Sequence, residues 1–168
     1  MRTVELVGDD ALDRAVRAAW QRLDQAGLPS LARHQHPTNR PHLTLASADD
    51  FPLGAVAAVA EALQVLPISV RLDGLHFFGG RASVLAWAVD GGDALLDLQA
   101  RIWSALDGAD GNPQHKPGAW TPHISLARRL PPGQEAQAAE VIGSAAAEGA
   151  LSAARSYDSS TRTVIALP

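Results

Sequence analysis

No cysteine occurs among the 168 residues. Disulfides and thiolate metal sites are therefore excluded, and any covalent nucleophile has to be something other than a thiol. Uninterrupted apolar stretches are also missing: none approaches the ~20 residues that a bilayer-crossing helix requires. The opening MRTVELVGDD has neither the basic segment nor the apolar core of a signal peptide, so the expected location is cytoplasmic, away from membranes. Excess positive charge is lacking too. A formal net charge of -4 argues against coating long nucleic acid by counterion release, which needs an extended basic face. It leaves room for a short polyanion held by a few local donors. Basic residues do gather locally, with Arg33, His34, His36 and Arg40 before one motif and Arg128 and Arg129 after another.

What is present is a 46% hydrophobic chain that fits one compact domain. Alternating or β-branched apolar runs predict strands at 3–7, 41–47, 67–73, 82–89, 121–127, 149–157 and 162–167. Helices are predicted near 10–26, 53–65, 93–107 and 133–147. In the first, Leu12, Val16, Ala19, Trp20 and Leu23 fall three and four apart, one stripe facing a core, before Gly27 and Pro29 stop it.

Three collinear segments repeat. Asp10-Ala11-Leu12 with Trp20 and Leu23 matches Asp93-Ala94-Leu95 with Trp103 and Leu106 at one constant offset. Pro41-His42-Leu43-Thr44-Leu45-Ala46 matches Pro122-His123-Ile124-Ser125-Leu126-Ala127. Pro52, Gly54, Ala57, Ala60 and Glu61 match Pro131, Gly133, Ala136, Ala139 and Glu140. Alanine matches are cheap, whereas the tryptophan and histidine matches are not. Residues 1–168 are accordingly expected to form one domain of two pseudo-symmetric halves, about 1–80 and 81–168. Symmetric residue pairs would then line a shared cleft.

Strand alternation puts His42 and Thr44 on one face, about 6.6 Å apart, while Leu43 and Leu45 face the core. His123 and Ser125 repeat the arrangement, with Ile124 and Leu126 inward. Two imidazoles suit a reaction in which one group takes a proton from an attacking oxygen and another gives one to a leaving oxygen. Two hydroxyls suit the negative charge that develops on the non-bridging oxygens of a phosphodiester. Such chemistry calls for no metal and no cofactor.

These two motifs, Pro-His-Leu-Thr-Leu-Ala and Pro-His-Ile-Ser-Leu-Ala, resemble the paired H-x-[T/S] motifs of the two-histidine (2H) phosphoesterases. The similarity is greatest to the bacterial RNA 2',3'-cyclic phosphodiesterases, often labelled 2'-5' RNA ligases. The resemblance implies a bilobal α+β fold, with two mostly antiparallel sheets flanked by helices around a central groove. It also implies metal-independent opening of 2',3'-cyclic phosphates on RNA 3' ends or small nucleotides, with reversible 2'-5' ligation in some members. His42 and His123 then take the catalytic positions, with Thr44 and Ser125 as phosphate donors. Serine at 125, where threonine is common, keeps the hydroxyl and loses a methyl that restrains the rotamer. The lie of the substrate decides which histidine is base; His123 is assigned as base and His42 as acid.

Arg128 and Arg129 are both candidates for phosphate binding, because alternation puts residue 129 on the face of His123 and Ser125. Arg40, Trp120 and His76 are candidates for the groove. Trp120 beside a strand is as readily core packing, and core packing is also the expectation for Phe77 or Phe78. His34 and His36 have metal-ligand spacing but no acidic neighbour, so a groove lip is expected there and no metal site. A monomer is favoured. The competing reading is a module that binds nucleotides or RNA ends without turnover.

Overall fold

The structure, a computed structural model, describes residues 1–79, 83–108, 112–144 and 146–168. Among the described residues, seven strands and four α-helices appear in the expected order: β1 (Arg2–Gly8), α1 (Asp10–Gln25), β2 (Leu43–Ala48), α2 (Ala55–Leu63), β3 (Ile68–Phe78), β4 (Ser83–Asp90), α3 (Gly92–Ala105), β5 (His123–Leu130), α4 (Glu135–Ile142), β6 (Ala147–Asp158) and β7 (Thr163–Leu167). Residue 82, expected to open β4, and residues 80 and 81, where the two halves were expected to meet, lie outside the described residues.

The α+β class holds, but the strands form one sheet and not two. Its order is β2-β1-β6-β3-β4-β5, with β7 also on β6, and every pairing is antiparallel. The fusion comes from the length of β6. Its Leu151–Asp158 stretch pairs with β1, and its Ala147–Leu151 stretch pairs with β3, so one strand joins what would otherwise be two ribbons. The two ends of the path, β2 and β5, nevertheless meet.

Two sequence-level expectations about length fail for backbone reasons. The strand expected at 67–73 runs on through His76 to Phe78, because Gly74 (φ 81) is part of an irregularity within β3 and does not end it. Helix α4 ends at Ile142, where Gly143 (φ 74) follows.

Helix α1 shows how local sequence places the core. Asp9 caps it, accepting from the Leu12 amide at 2.9 Å, and the same carboxylate accepts from Ala150 of β6 at 3.0 Å. The cap thus fixes the helix start and docks it on the sheet. Leu12, Val16, Ala19, Trp20 and Leu23 are all buried, packed with Leu6, Leu43, Leu45, Leu126 and Leu151.

Both motif strands carry a β-bulge at the same motif position. Opposite β1, Thr44 pairs with Glu5 and Ala46 with Val4, leaving Leu45 as the extra residue. Opposite β4, Ser125 pairs with Ala86 and Ala127 with Leu85, leaving Leu126 extra. Each bulge buries two consecutive residues, Leu45 with Ala46 and Leu126 with Ala127, and ends strict alternation at the hydroxyl residue.

Candidate active site

His42 and His123 line one continuous groove. Its two arms share Met1, Thr3, His42, Thr44 and Arg128. The first arm, about 610 Å3, runs from His42 toward Arg33, His34, Arg155 and Tyr157. The second, about 530 Å3, holds His123, Ser125, Phe78, His115 and Trp120. Both volumes fall in the range of about 300–1,000 Å3 usual for small-molecule sites.

The histidines are held alike. His42 Nδ1 lies 2.7 Å from the Arg40 carbonyl, and His123 Nδ1 lies 2.8 Å from the Thr121 carbonyl. A carbonyl oxygen can only accept, so each Nδ1 carries hydrogen and leaves Nε2 of the neutral ring with a free lone pair. Arg40 thus contributes its carbonyl. Its side chain turns from the groove to Asp13 and the Gly8 carbonyl, which corrects the expectation of a substrate-facing guanidinium.

The hydroxyl residues are held by indoles, one from helix α1 and one from the segment that leads into β5. Trp20 Nε1–H donates to the Ser125 carbonyl at 3.1 Å, and Trp120 Nε1–H donates to the Thr44 carbonyl at 3.0 Å. Edge carbonyls that would otherwise go unpaired are satisfied, and each indole ties one motif strand to the rest of the molecule. Trp120 is therefore buried packing at the groove wall, not an open stacking face. Replacing Trp20 or Trp120 by phenylalanine keeps most of the ring but orphans a carbonyl. Each variant is expected to lose about 1–3 kcal/mol in urea unfolding, and an unchanged midpoint would show that the indole hydrogen bond contributes nothing.

Of the two arginines after the second motif, only Arg128 enters the groove. A second bulge opposite Val84, with Arg129 at φ 58, breaks the alternation that placed Arg129 beside His123, and Arg129 lines neither arm. His76 lines neither arm either. Its ring is 5.5 Å from Phe78, which in turn sits 4.6 Å from His123, so Phe78 belongs to the groove and packs the imidazole. Phe77 is exposed.

Three polar residues, Glu5, Arg155 and Gln99, gain importance only in three dimensions. Glu5 and Arg155 form an ion pair at 2.8 Å, with side chains 4% and 11% exposed. Glu5 Oε1 is 3.8 Å from His42 Nε2, and Arg155 also donates to the Thr38 carbonyl. A charge inside the apolar strand TVELV, two residues from Thr3, is the signal that could have marked Glu5. His115 is fastened to β2 by Ser47 Oγ at 3.2 Å, and buried Gln99 bridges the His115 and Leu45 carbonyls.

Burial pushes the His123 imidazole below its ordinary value. The bond to Thr121 opposes this, and charge on His76 or His42 adds to it. Burial lowers His115 as well, helped by His123. Among the described residues, no group of three or more His, Asp or Glu is arranged to hold a metal ion. His36 bonds instead to Thr38.

The model of the 2'-5' RNA ligase superfamily matches residues 9–156. The chain belongs to that superfamily. Membership of the 2'-5' RNA ligase superfamily makes it a phosphoesterase- or ligase-type protein, and no curated protein matches it significantly. Its fold is similar to the crystal structure of TT0787 of Thermus thermophilus, at 19% identity and a TM-score of 0.65, covering 99% of this chain and 94% of that one. It is similar also to E. coli LigT in apo form, at 16% identity and a TM-score of 0.59, with 99% and 94% covered. No helix among the described residues is long and apolar enough to cross a membrane.

Proposed function

We propose that this 2'-5' RNA ligase superfamily member is a phosphodiesterase that opens 2',3'-cyclic phosphates of RNA ends or nucleotides to 2'-phosphates, without a metal. The observation that carries the reading is the matched pair of imidazoles. Both face one groove, both have Nδ1 on a backbone carbonyl two residues back, and each stands beside a hydroxyl. The matched bulges also support two halves of one domain, about 1–80 and 81–168.

In this reading a water oxygen attacks phosphorus and His123 Nε2 takes its proton. The P–O3' bond breaks, and His42, as the imidazolium, gives its Nε2 proton to the 3' oxygen. Products are a 2'-phosphate and a 3' hydroxyl, and the two protons re-equilibrate with solvent. Thr44, Ser125 and Arg128 stabilise the non-bridging oxygens. A 5' hydroxyl in place of water would give 2'-5' joining by the same proton transfers. The depressed His123 supports its role as base, since it stays neutral below the ordinary imidazole range.

Assaying 2',3'-cyclic nucleotides and a short RNA with a cyclic end in chelator tests the reading. A 2'-phosphate product supports it; tight binding with no product, or a 3'-phosphate product, overturns it.

The pH dependence is expected to be bell-shaped. kcat/KM should rise on an acid limb lying below ~6.5, the ordinary imidazole value, as His123 loses its proton, then fall on a basic limb once the general acid has lost its own. A single limb would mean that one histidine alone titrates in the reaction. Stability has the matching sign. Between ~6.5 and the lower folded values of His123 and His115, the unfolded chain binds more protons. Stability is therefore full above ~6.5 and lost as pH falls through the folded values.

A further inference from the structure

Among the described residues, arginines are not spread evenly along the groove. Arg33 and Arg155 both belong to the arm beyond His42, with His34 beside them, whereas among the described residues the arm beyond His123 has no guanidinium except the shared Arg128. In place of arginines the second arm presents Phe78, His115, Asn112 and Gln114, which are neutral or aromatic. One carboxylate, Glu5, lines the first arm, and Arg155 and Thr3 already engage it. Arg33 is held by Asp24, which is not in the wall. Tyr157 adds a phenol to the same wall. Reacting one cyclic phosphate does not require this much positive charge so far along one side.

We propose that the arm beyond His42, walled by Arg33, His34 and Tyr157, is a second phosphate subsite, and that it holds a phosphoryl group on the 5' side of the ribose being processed. The proposal rests on the cyclic-phosphate reading for which phosphate lies at the histidines, and it narrows the substrate class. A nucleotide with a further phosphate, or the last nucleotide of an RNA chain, is preferred to a nucleoside 2',3'-cyclic phosphate. The direction agrees with the proton transfers: if His42 protonates the 3' oxygen, the donor ribose leans toward His42 and its 5' substituent enters the basic arm. Guanidinium-to-phosphate bonds are charge-assisted and can be bidentate, so they reward the extra group and weaken with salt.

Calorimetric binding of product analogues tests the subsite independently of turnover. Adenosine 2',5'-bisphosphate is expected to bind at least about tenfold more tightly than adenosine 2'-phosphate, as one charge-assisted bond warrants. The advantage should shrink with added salt. The Arg33→Ala, His34→Ala double variant should remove it and leave the monophosphate affinity unchanged. Equal affinities in the native protein, or an advantage that survives in the double variant, would overturn the subsite. A diadenosine ending in a 2'-phosphate identifies the source: a gain matching that of the bisphosphate supports the subsite as a reader of RNA chain, and a gain confined to the bisphosphate supports it as a reader of 5'-phosphorylated mononucleotides. Turnover of adenosine 2',3'-cyclic phosphate, measured alongside, keeps the two readings apart. Turnover without the binding advantage sinks the subsite alone. The binding advantage without turnover supports the subsite and sinks the cyclic-phosphate reading.

Discussion

Replacing His42 or His123 by alanine is expected to lower kcat for a 2',3'-cyclic phosphate by about 10²–10⁴-fold, the usual contribution of a positioned acid or base. The double variant should fall little further than the worse single one, because groups that act as a unit give non-additive losses. Neither change should unfold the protein. Both imidazoles are only half-buried, and the bonds lost, to the Arg40 and Thr121 carbonyls, are local ones at the open ends of β2 and β5. Nucleotide affinity should be largely kept, since Thr44, Ser125 and Arg128 remain. That combination separates an enzyme from a binding module. Purified single variants that retain native kcat would remove the two histidines from the chemistry. Variants that lose affinity and rate together would place them in binding instead.

The elements that could be read from sequence are those where local pattern and tertiary environment agree. The stripe of α1 and the inward residues Leu43 and Ile124 follow from periodicity alone, and all are buried. The pairing of His42 with Thr44 and of His123 with Ser125 follows from alternation over two residues, before the bulges interrupt it. Beyond Leu45 and Leu126 the same rule misleads. It put Arg129 beside His123, whereas the extra residues and the left-handed backbone at 129 bring Arg128 to the groove. A bulge leaves no distinctive residue type in Leu-Ala-Arg-Arg, so period-two reasoning had nothing to detect. The repeat also implied symmetric pairs, and this holds only for residues near the reacting centre. Across the sheet, Thr44 is followed by Glu5 and Arg155, whereas Ser125 is followed by Ala86 and His76. Contacts between Glu5 and Arg155 span 150 residues, and no local pattern announces them.

That asymmetric pair carries the largest expected effect on stability. Arg155→Met is expected to destabilise the protein by about 3–5 kcal/mol, because it leaves the buried Glu5 carboxylate with the Thr3 hydroxyl and the more distant His42 ring in place of its ion pair. At roughly 2–4 °C per kcal/mol for a chain of this size, the melting midpoint should drop well beyond error. Removing both charges is a different matter. Glu5→Met with Arg155→Met exchanges a desolvated ion pair for apolar volume, a change that is often neutral or stabilising. Activity should not follow stability back. Glu5 Oε1 lies 3.8 Å from His42 Nε2, and Arg155 anchors that carboxylate at 2.8 Å, so the pair positions the charge that faces the reacting nitrogen of His42. The double variant should therefore melt near the native protein yet keep a depressed kcat. A double variant as unstable as Arg155→Met alone would mean that the arginine acts through its packing and its bond to the Thr38 carbonyl, not through the stranded carboxylate. Full recovery of kcat would make the pair purely structural, and His42 would then owe its orientation to the Arg40 carbonyl alone.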